Sequence, residues 1–332
     1  MDLHIYPMLF KPIFKNRLWG GEELYNYLDI EKPQTDNPLG ECWFISDREL
    51  DQTEIANGPY TGQTLEELVK AYPAKFVGNK HKSTDRFPLI VKFIDADKRL
   101  SLQVHPDEMT ARKYPGSEAK NEVWYIVDHK ENAKIFAGLR HDRTQLQFRT
   151  RVGTNDVEEC LQAFPSRKGD AFYLPAGTVH CLCGGNLVLE IMQNSDTTYR
   201  IHDWDRVDND GNPRELHIEE ALDCIHFKDR TLPLVRADES PITANRKKDL
   251  VRNNKYFKCE EVKLVDGFFS NTSPKTFHII IPVDGKITVE CQAGELVVAK
   301  GQPCLLPAAL GSYKVFPEAD KDCTFIRTML SM

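Results

Sequence analysis

Residues 169–180 read GDAFYLPAGTVH. The tetrad AFYL is strand-sized, apolar and aromatic, and it is closed on both sides by turn formers, Gly-Asp before it and Pro-Ala-Gly after it. Outward from this stretch the same texture repeats: FPLIVKFI (87–94), LSLQVH (100–105), EVWYIV (122–127) and LVLEIM (187–192). Short strands without long intervening helices favour an antiparallel sandwich or barrel over a βαβ arrangement. Strands resume late in the chain, with TFHIIIPV (276–283), KITVEC (286–291) and ELVVA (295–299). There the pattern G-x5-P-A of Gly169 to Ala176 returns as Gly301 to Ala308, GQPCLLPA. The fifth residue after the proline is His180 in the first copy and Ser312 in the second. Two related β units, one carrying a potential ligand and one without, account for the repeat.

Four stretches read as helices. TLEELVKAY (64–72) opens with a Thr and carries Glu66 and Glu67, a capping pattern. PDEMTARKY (106–114) starts with Pro and two acids, as a first turn should. Residues 144–164 offer Leu146, Phe148, Val157 and Leu161 as an apolar face, and RELHIEEALDC (214–224) completes the set. Residues 228–249 are polar, with Pro233, Pro241 and a basic cluster at 246–248, and read as a linker. The expected organisation is mainly β, with a first unit over residues 1–235 and a smaller one over 236–332.

Composition narrows the function classes. The 332 residues are 41% hydrophobic and 28% charged, the balance of an ordinary globular chain. A net charge of −7 makes nucleic acid an improbable partner. No apolar run approaches the ~20 residues that span a bilayer, so no membrane partner is expected. The N-terminal segment lacks a basic region followed by an apolar core. Nine scattered cysteines, an odd number, do not form a disulfide framework. A cytoplasmic protein is expected, and the pattern leaves the number of copies in its assembly open.

The residues able to do chemistry cluster in the first unit. Gln103 and His105 alternate along LSLQVHP, so the period-two geometry of a strand aims both to one face. Glu122 begins the next strong strand and His180 ends the turn after AFYL. Two imidazoles, a carboxylate and an amide oxygen suit a divalent metal of borderline softness, zinc first. Single histidines on strands are more often hydrogen-bonded core residues, and His4, His81, His129, His141, His217 and His226 are read that way. Cys181 and Cys183 stand close to His180 as alternative thiol ligands, although buried free cysteines commonly serve as small apolar residues. From spacing alone, the metal site and a hydrogen-bonded core both remain open.

The stretch GDAFYLPAGTVH follows the second cupin motif, G-x5-P-x-G-x2-H, and Gln103-Val-His105 with a displaced Glu122 resembles a modified first motif. Together with LWGG (18–21), GECWFIS (40–46), NG…G (57–62), FPLIVKFIDADKRLSLQVHPDE (87–108), KNEVWYIV (120–127) and QNSDTTYRIHDWDR (193–206), the chain resembles the type I mannose-6-phosphate isomerases in their short bacterial form. The resemblance implies two cupin, or jelly-roll β-barrel, domains, the second degenerate and without metal ligands, with a few helices inserted in and preceding the first. It implies that Gln103, His105, Glu122 and His180 hold one Zn²⁺ per chain. It further implies that Arg200 is the active-site arginine, that Lys120 is the lysine of the family's K-x-E, and that Ser101 lies near the sugar phosphate. Glu190, ten residues before Arg200, matches a carboxylate proposed as proton carrier. Ala119 stands where longer members have histidine, and the chain has no room for their additional helical domain. The implied reaction interconverts mannose 6-phosphate and fructose 6-phosphate through an enediol, with Lys120 and Arg200 also binding this phosphosugar substrate. Trp19 and Trp43 are read as core, Asp107 and Glu108 as a helix first turn, and Tyr199 and Asp203 as residues that orient Arg200. An iron dioxygenase on a similar cage would not need Lys120, Ser101 and Arg200, and a non-catalytic sugar binder would not need the full ligand set.

Overall fold

In the computed structural model, residues 3–33, 37–208, 210–229, 231–251, 254–319 and 321–331 are described. The chain is mainly β, and its four large sheets are antiparallel and stacked in layers. A six-stranded sheet (strands Ala171–Leu174, Glu122–His129, Asn186–Gln193, Leu89–Ala96, Leu39–Ile45 and Ile13–Gly21, in that spatial order) faces a five-stranded one. The latter runs Leu161–Pro165, Lys134–Leu139, His180–Leu182, Leu102–Val104 and Tyr199–His202. Between them pack Ile94, Ile126, Phe172, Val188, Ile135 and Leu182. A seven-stranded and a four-stranded sheet face each other in the same way around Val262, Ile280, Phe325, Val289 and Val315.

The six- and seven-stranded sheets then join back to back through the largest core. Val91, Phe93, Val123, Tyr125, Leu189 and Ile191 from one meet Phe277, Ile279, Ile281 and Ile326 from the other. Strand periodicity explains the economy of this arrangement. In Asn186–Gln193 the residues Leu187, Leu189 and Ile191 point to the shared core, so Val188, Glu190 and Met192 point the other way. All eight residues of Leu89–Ala96 are buried because both faces of the sheet are covered.

The repeat found in the sequence corresponds to a structural one. Gly169 and Gly301 both hold positive φ, 85° and 76°, ahead of strands Ala171–Leu174 and Cys304–Leu306. His180 and Ser312 each begin the following strand. Strand Met8–Leu9 pairs with Cys304 and Leu305, so a segment expected in the first unit extends the seven-stranded sheet.

Several expectations are corrected. The long helix over 144–164 is Gln145–Arg149, a 3-10 turn Asn155–Cys160 and strand Leu161–Pro165, with Gly153 at φ 77° breaking the run. Leu146 is exposed rather than part of the apolar face, whereas Phe148 and Val157 are buried. The helix at 214–224 covers only Ile218–Cys224, because Arg214 and His217 are engaged by Asp203 and the Arg200 backbone. The helix at 106–114 shortens to Glu108–Ala111, capped by Asp107 accepting from the Thr110 amide. The linker at 228–249 holds part of a hairpin, Ser240–Ile242 with Asn245–Val251, turned at Thr243 with φ 55°. The helix Leu65–Ala71 forms as expected, with a Thr64–Glu67 capping box.

Phe87 and Phe277 stack across the shared core with centroids 4.7 Å apart. Phe277→Ala is expected to lower unfolding free energy by about 3–5 kcal/mol through the cavity it leaves. Leu50→Ala, at a side chain 93% exposed, should change it by less than about 0.5 kcal/mol. Urea denaturation followed by circular dichroism measures both.

Candidate active site

The site lies between the six- and five-stranded sheets. Within the smaller sheet, Gln103 is directly opposite His180 on one neighbouring strand and opposite Arg200 on the other. His105 follows immediately after the same strand. Glu122 reaches in from the facing sheet, where it opens strand Glu122–His129 and lies opposite Met192. Thus the four residues singled out in the sequence converge, although 77 residues separate Gln103 from His180.

The geometry is that of a convergent set of ligand atoms. His105 Nε2 lies 3.3 Å from one Glu122 oxygen, and His180 Nε2 lies 3.2 Å from the other. The ligand atoms of His105, Glu122 and His180 all fall within 4.8 Å of one another. His105 Nδ1 donates to the Thr197 carbonyl at 2.9 Å and His180 Nδ1 to the Thr178 carbonyl at 2.8 Å. Those bonds fix the tautomer that leaves each Nε2 without a proton and aimed inward, as in metal-binding histidines. His105 Nε2 and both Glu122 oxygens are buried without a well-formed hydrogen bond, and the Lys120 ammonium reaches only one of the two oxygens, so the set still has capacity for a further cation. Gln103 brings its amide to 3.2 Å from His180 Nε2, and the other side of that amide accepts from Ser101 Oγ at 3.4 Å.

Electrostatics prepare the same set. Burial, reinforced by the Lys120 ammonium, lowers the His105 imidazole to about 4, and burial lowers His180 as well. Burial opposes ionisation of Glu122, but Lys120 and the two histidines outweigh it and hold its carboxyl well below the usual range. Lys120 Nζ sits 3.0 Å from Glu122. Neutral imidazoles and an ionised carboxylate are the forms that bind a metal. The residues therefore fit a divalent ion with nitrogen and oxygen ligands.

Beside these ligands opens a cavity of about 390 Å³, within the usual ~300–1,000 Å³ of small-molecule sites. Ser101, Gln103, Lys120, Glu190 and Arg200 line it. Arg200 Nη1 donates to the Glu215 carbonyl at 2.7 Å, while its Nε is buried without an acceptor. Asp203 does not orient Arg200: it takes Arg206 at 2.6 Å and Arg214 at 2.5 Å. Tyr199 pairs with Ser117 at 2.5 Å.

Sequence reasoning missed one wall of the cavity. Arg17, Glu41 and Lys92 line it, as do Trp19 and Trp43, which are buried as expected yet face the cavity. Lys92 Nζ lies 2.8 Å from Glu190 and 3.4 Å from Glu41. The clue was present: a lone lysine inside the apolar run FPLIVKFI, and a glutamate inside the buried strand GECWFIS. A charge within an otherwise apolar buried strand needs a partner.

Comparison with known proteins agrees with this architecture. Residues 8–147 match the family model "Phosphomannose isomerase type I, catalytic domain". The chain is similar to mannose-6-phosphate isomerase ManA of Bacillus subtilis, 35% identical over 317 residues, covering 93% of this chain and 95% of that protein. A mannose-6-phosphate isomerase of Streptococcus mutans is 36% identical over 219 residues, covering 66% and 67%. Among solved structures, the mannose 6-phosphate isomerase of Bacillus subtilis superposes with TM-score 0.85 at 32% identity, covering 97% of this chain and 99% of that one. The apo mannose 6-phosphate isomerase of Salmonella typhimurium shares the fold at TM-score 0.77 and 15% identity, covering 98% and 99%.

His180→Ala removes an inward-facing nitrogen and is expected to weaken binding of a divalent metal, with Zn²⁺ as the probe, by more than the about 10–100-fold that loss of an outer partner costs. Elemental analysis after dialysis against a zinc buffer checks this. Lys92→Met leaves two buried carboxylates without their shared cation. Its unfolding free energy should fall by about 3–5 kcal/mol in denaturant titration.

Proposed function

The chain belongs to the type I phosphomannose isomerase family, and on that premise we propose that it interconverts mannose 6-phosphate and fructose 6-phosphate. The observation that carries the reading is the buried, convergent set of ligand atoms on His105, Glu122 and His180, opening beside a cavity lined by Lys120, Arg200 and Glu190. Gln103, His105, Glu122 and His180 would hold one Zn²⁺. When bound, that ion supplies Lewis-acid polarisation of the substrate oxygens.

The chain's own residues carry the remaining roles. Conversion requires a proton to leave C2 and return at C1 through an enediol, which calls for a carboxylate or amine close to both carbons. Glu190 is the proposed carrier. Its two oxygens are held apart by different partners, the Trp124 indole at 2.7 Å and the Lys92 ammonium at 2.8 Å. Each oxygen keeps a second lone pair for a substrate proton. Arg200 is proposed to meet the oxyanion that develops on the substrate, an assignment supported by its partnerless Nε. Lys120, anchored on Glu122, is proposed to bind the sugar and to assist the ring-opening proton transfer. Ser101 is proposed to contact the phosphosugar from the same wall as Gln103.

The second β unit is proposed to begin near residue 236 and to hold no metal. His278, near the position equivalent to Glu122, accepts instead from or donates to the Tyr313 hydroxyl at 2.7 Å. A cytoplasmic location is proposed as well, supported by nine free thiols. Among the described residues no helix is long and apolar enough to cross a membrane.

The decisive assay follows fructose 6-phosphate formed from mannose 6-phosphate before chelation, after it, and with Zn²⁺ restored. Turnover should vanish and return. A folded, zinc-loaded sample without turnover overturns the isomerase reading. Arg200→Ala should lower kcat about 10²–10³-fold, as loss of a preorganised oxyanion donor does.

A further inference from the structure

Antiparallel register lays Trp124, Glu190, Lys92 and Trp43 in one row across four adjacent strands, all on the face that looks into the cavity. Glu41 sits two residues before Trp43 on the same strand and on the same face. Its Oε1 is 3.4 Å from the Lys92 ammonium, and its Oε2 accepts from the Trp43 indole at 3.0 Å and from Arg17 at 2.9 Å. The Lys92 ammonium also lies 5.1 Å from the centroid of the Trp43 ring. Glu41 and Lys92 are 6% and 7% exposed. Charges alternate along the series Arg17, Glu41, Lys92, Glu190, running from the cavity rim to the carboxylate that faces the substrate.

A purely structural role accounts poorly for this series. The neighbouring inward positions Ile90, Ile94 and Val188 are apolar, and well-packed apolar residues usually stabilise a buried site as well as an ion pair does. Lysine alone is also a weak guide for direction, since its ammonium is a point charge on a flexible four-carbon stem. What fixes the ammonium is its contact with Glu41 and Trp43, both on strand Leu39–Ile45. What fixes Glu190 is that ammonium on one oxygen and the Trp124 indole on the other.

We propose that Glu41 is a positioning residue for the isomerisation: by holding Lys92 from the side opposite Glu190, it sets the direction in which Glu190 presents its carboxylate to the sugar. This rests on the isomerase reading and on Glu190 as proton carrier. Glu41 carries no proton in the reaction. Burial would raise its carboxyl, but Lys92 and Arg17 with the Trp43 hydrogen bond outweigh that and hold it at about 2. Its influence passes through geometry, where displacement of a reacting group by ~1 Å can reduce rate about 10²-fold.

The test compares Glu41→Gln with wild type in the zinc-loaded enzyme. Expected are a fall in kcat of about 10–100-fold, KM within about twofold, full zinc content, and a larger kinetic isotope effect with C2-deuterated mannose 6-phosphate. Glu41→Asp should recover part of kcat. Trp43→Phe keeps an aromatic face beside Lys92 and removes the indole donor to Glu41, so it carries the same test if Glu41→Gln does not fold. It should lower kcat in the same direction with KM and zinc unchanged. Unchanged kcat in a folded variant overturns the proposal, and so does a loss of kcat accompanied by an equal loss of zinc or of substrate affinity. Absence of turnover in the wild type would instead refute the isomerase reading itself, so the two failures are distinguishable.

Discussion

Antiparallel register in the six-stranded sheet is the constraint on which the rest of this structure depends. Glu190 lies opposite Lys92 on one side and Trp124 on the other, and Met192 lies opposite Glu122. Because side chains alternate faces with period two, a slip of one residue would send Glu190 and Lys92 into the apolar core and expose Leu189 and Val91 to the cavity. The continuous core on the opposite face, with Val91, Phe93, Leu189 and Ile191 packed on the seven-stranded sheet, therefore fixes the site as well as the fold. Hydrophobic burial chooses the register, and the register delivers the charges.

The charges so delivered are arranged in two adjoining networks. In one, Glu122 holds Lys120 and faces two bare imidazole nitrogens. In the other, Glu190 and Glu41 share Lys92, with Arg17 closing the series. At Glu122, Glu41 and Lys92 burial penalises the charged form, yet neighbours of opposite sign outweigh the penalty. A network of this kind is preorganised: its charges are held in place by one another before anything binds, so little reorganisation is needed.

The C-terminal sheets also reach toward the site through polar contacts. Asn254 donates to the Tyr173 hydroxyl at 2.6 Å, and that hydroxyl donates to Asn121, the residue between Lys120 and Glu122. Lys255 pairs with Glu108 at 2.7 Å, and the Tyr256 hydroxyl donates to the same carboxylate. Glu108 belongs to the short helix that follows His105, with Asp107 as its cap. Residues Asn254, Lys255 and Tyr256 thus brace two segments that carry candidate ligands.

Much of this was legible in the sequence. Alternation along LSLQVHP and the turn-bounded AFYL gave the strands, and the motif match singled out Gln103, His105, Glu122 and His180, which do converge. Local chemistry suffices there, because residue type, spacing and turn formers act within a few positions. Helix extents over 144–164 and 214–224 were misjudged, since Gly153 and the pull of Asp203 on Arg214 override local propensity. Which inward residues meet across strands could not be read locally at all. Arg17, Glu41, Lys92 and Glu190 are up to 173 positions apart along the chain yet adjacent in space. The sequence by itself determined a β protein with its candidate ligands; only tertiary packing, by choosing the strand register through burial of the opposite face, decided that a glutamate and a lysine in two apolar strands would form one wall of the site.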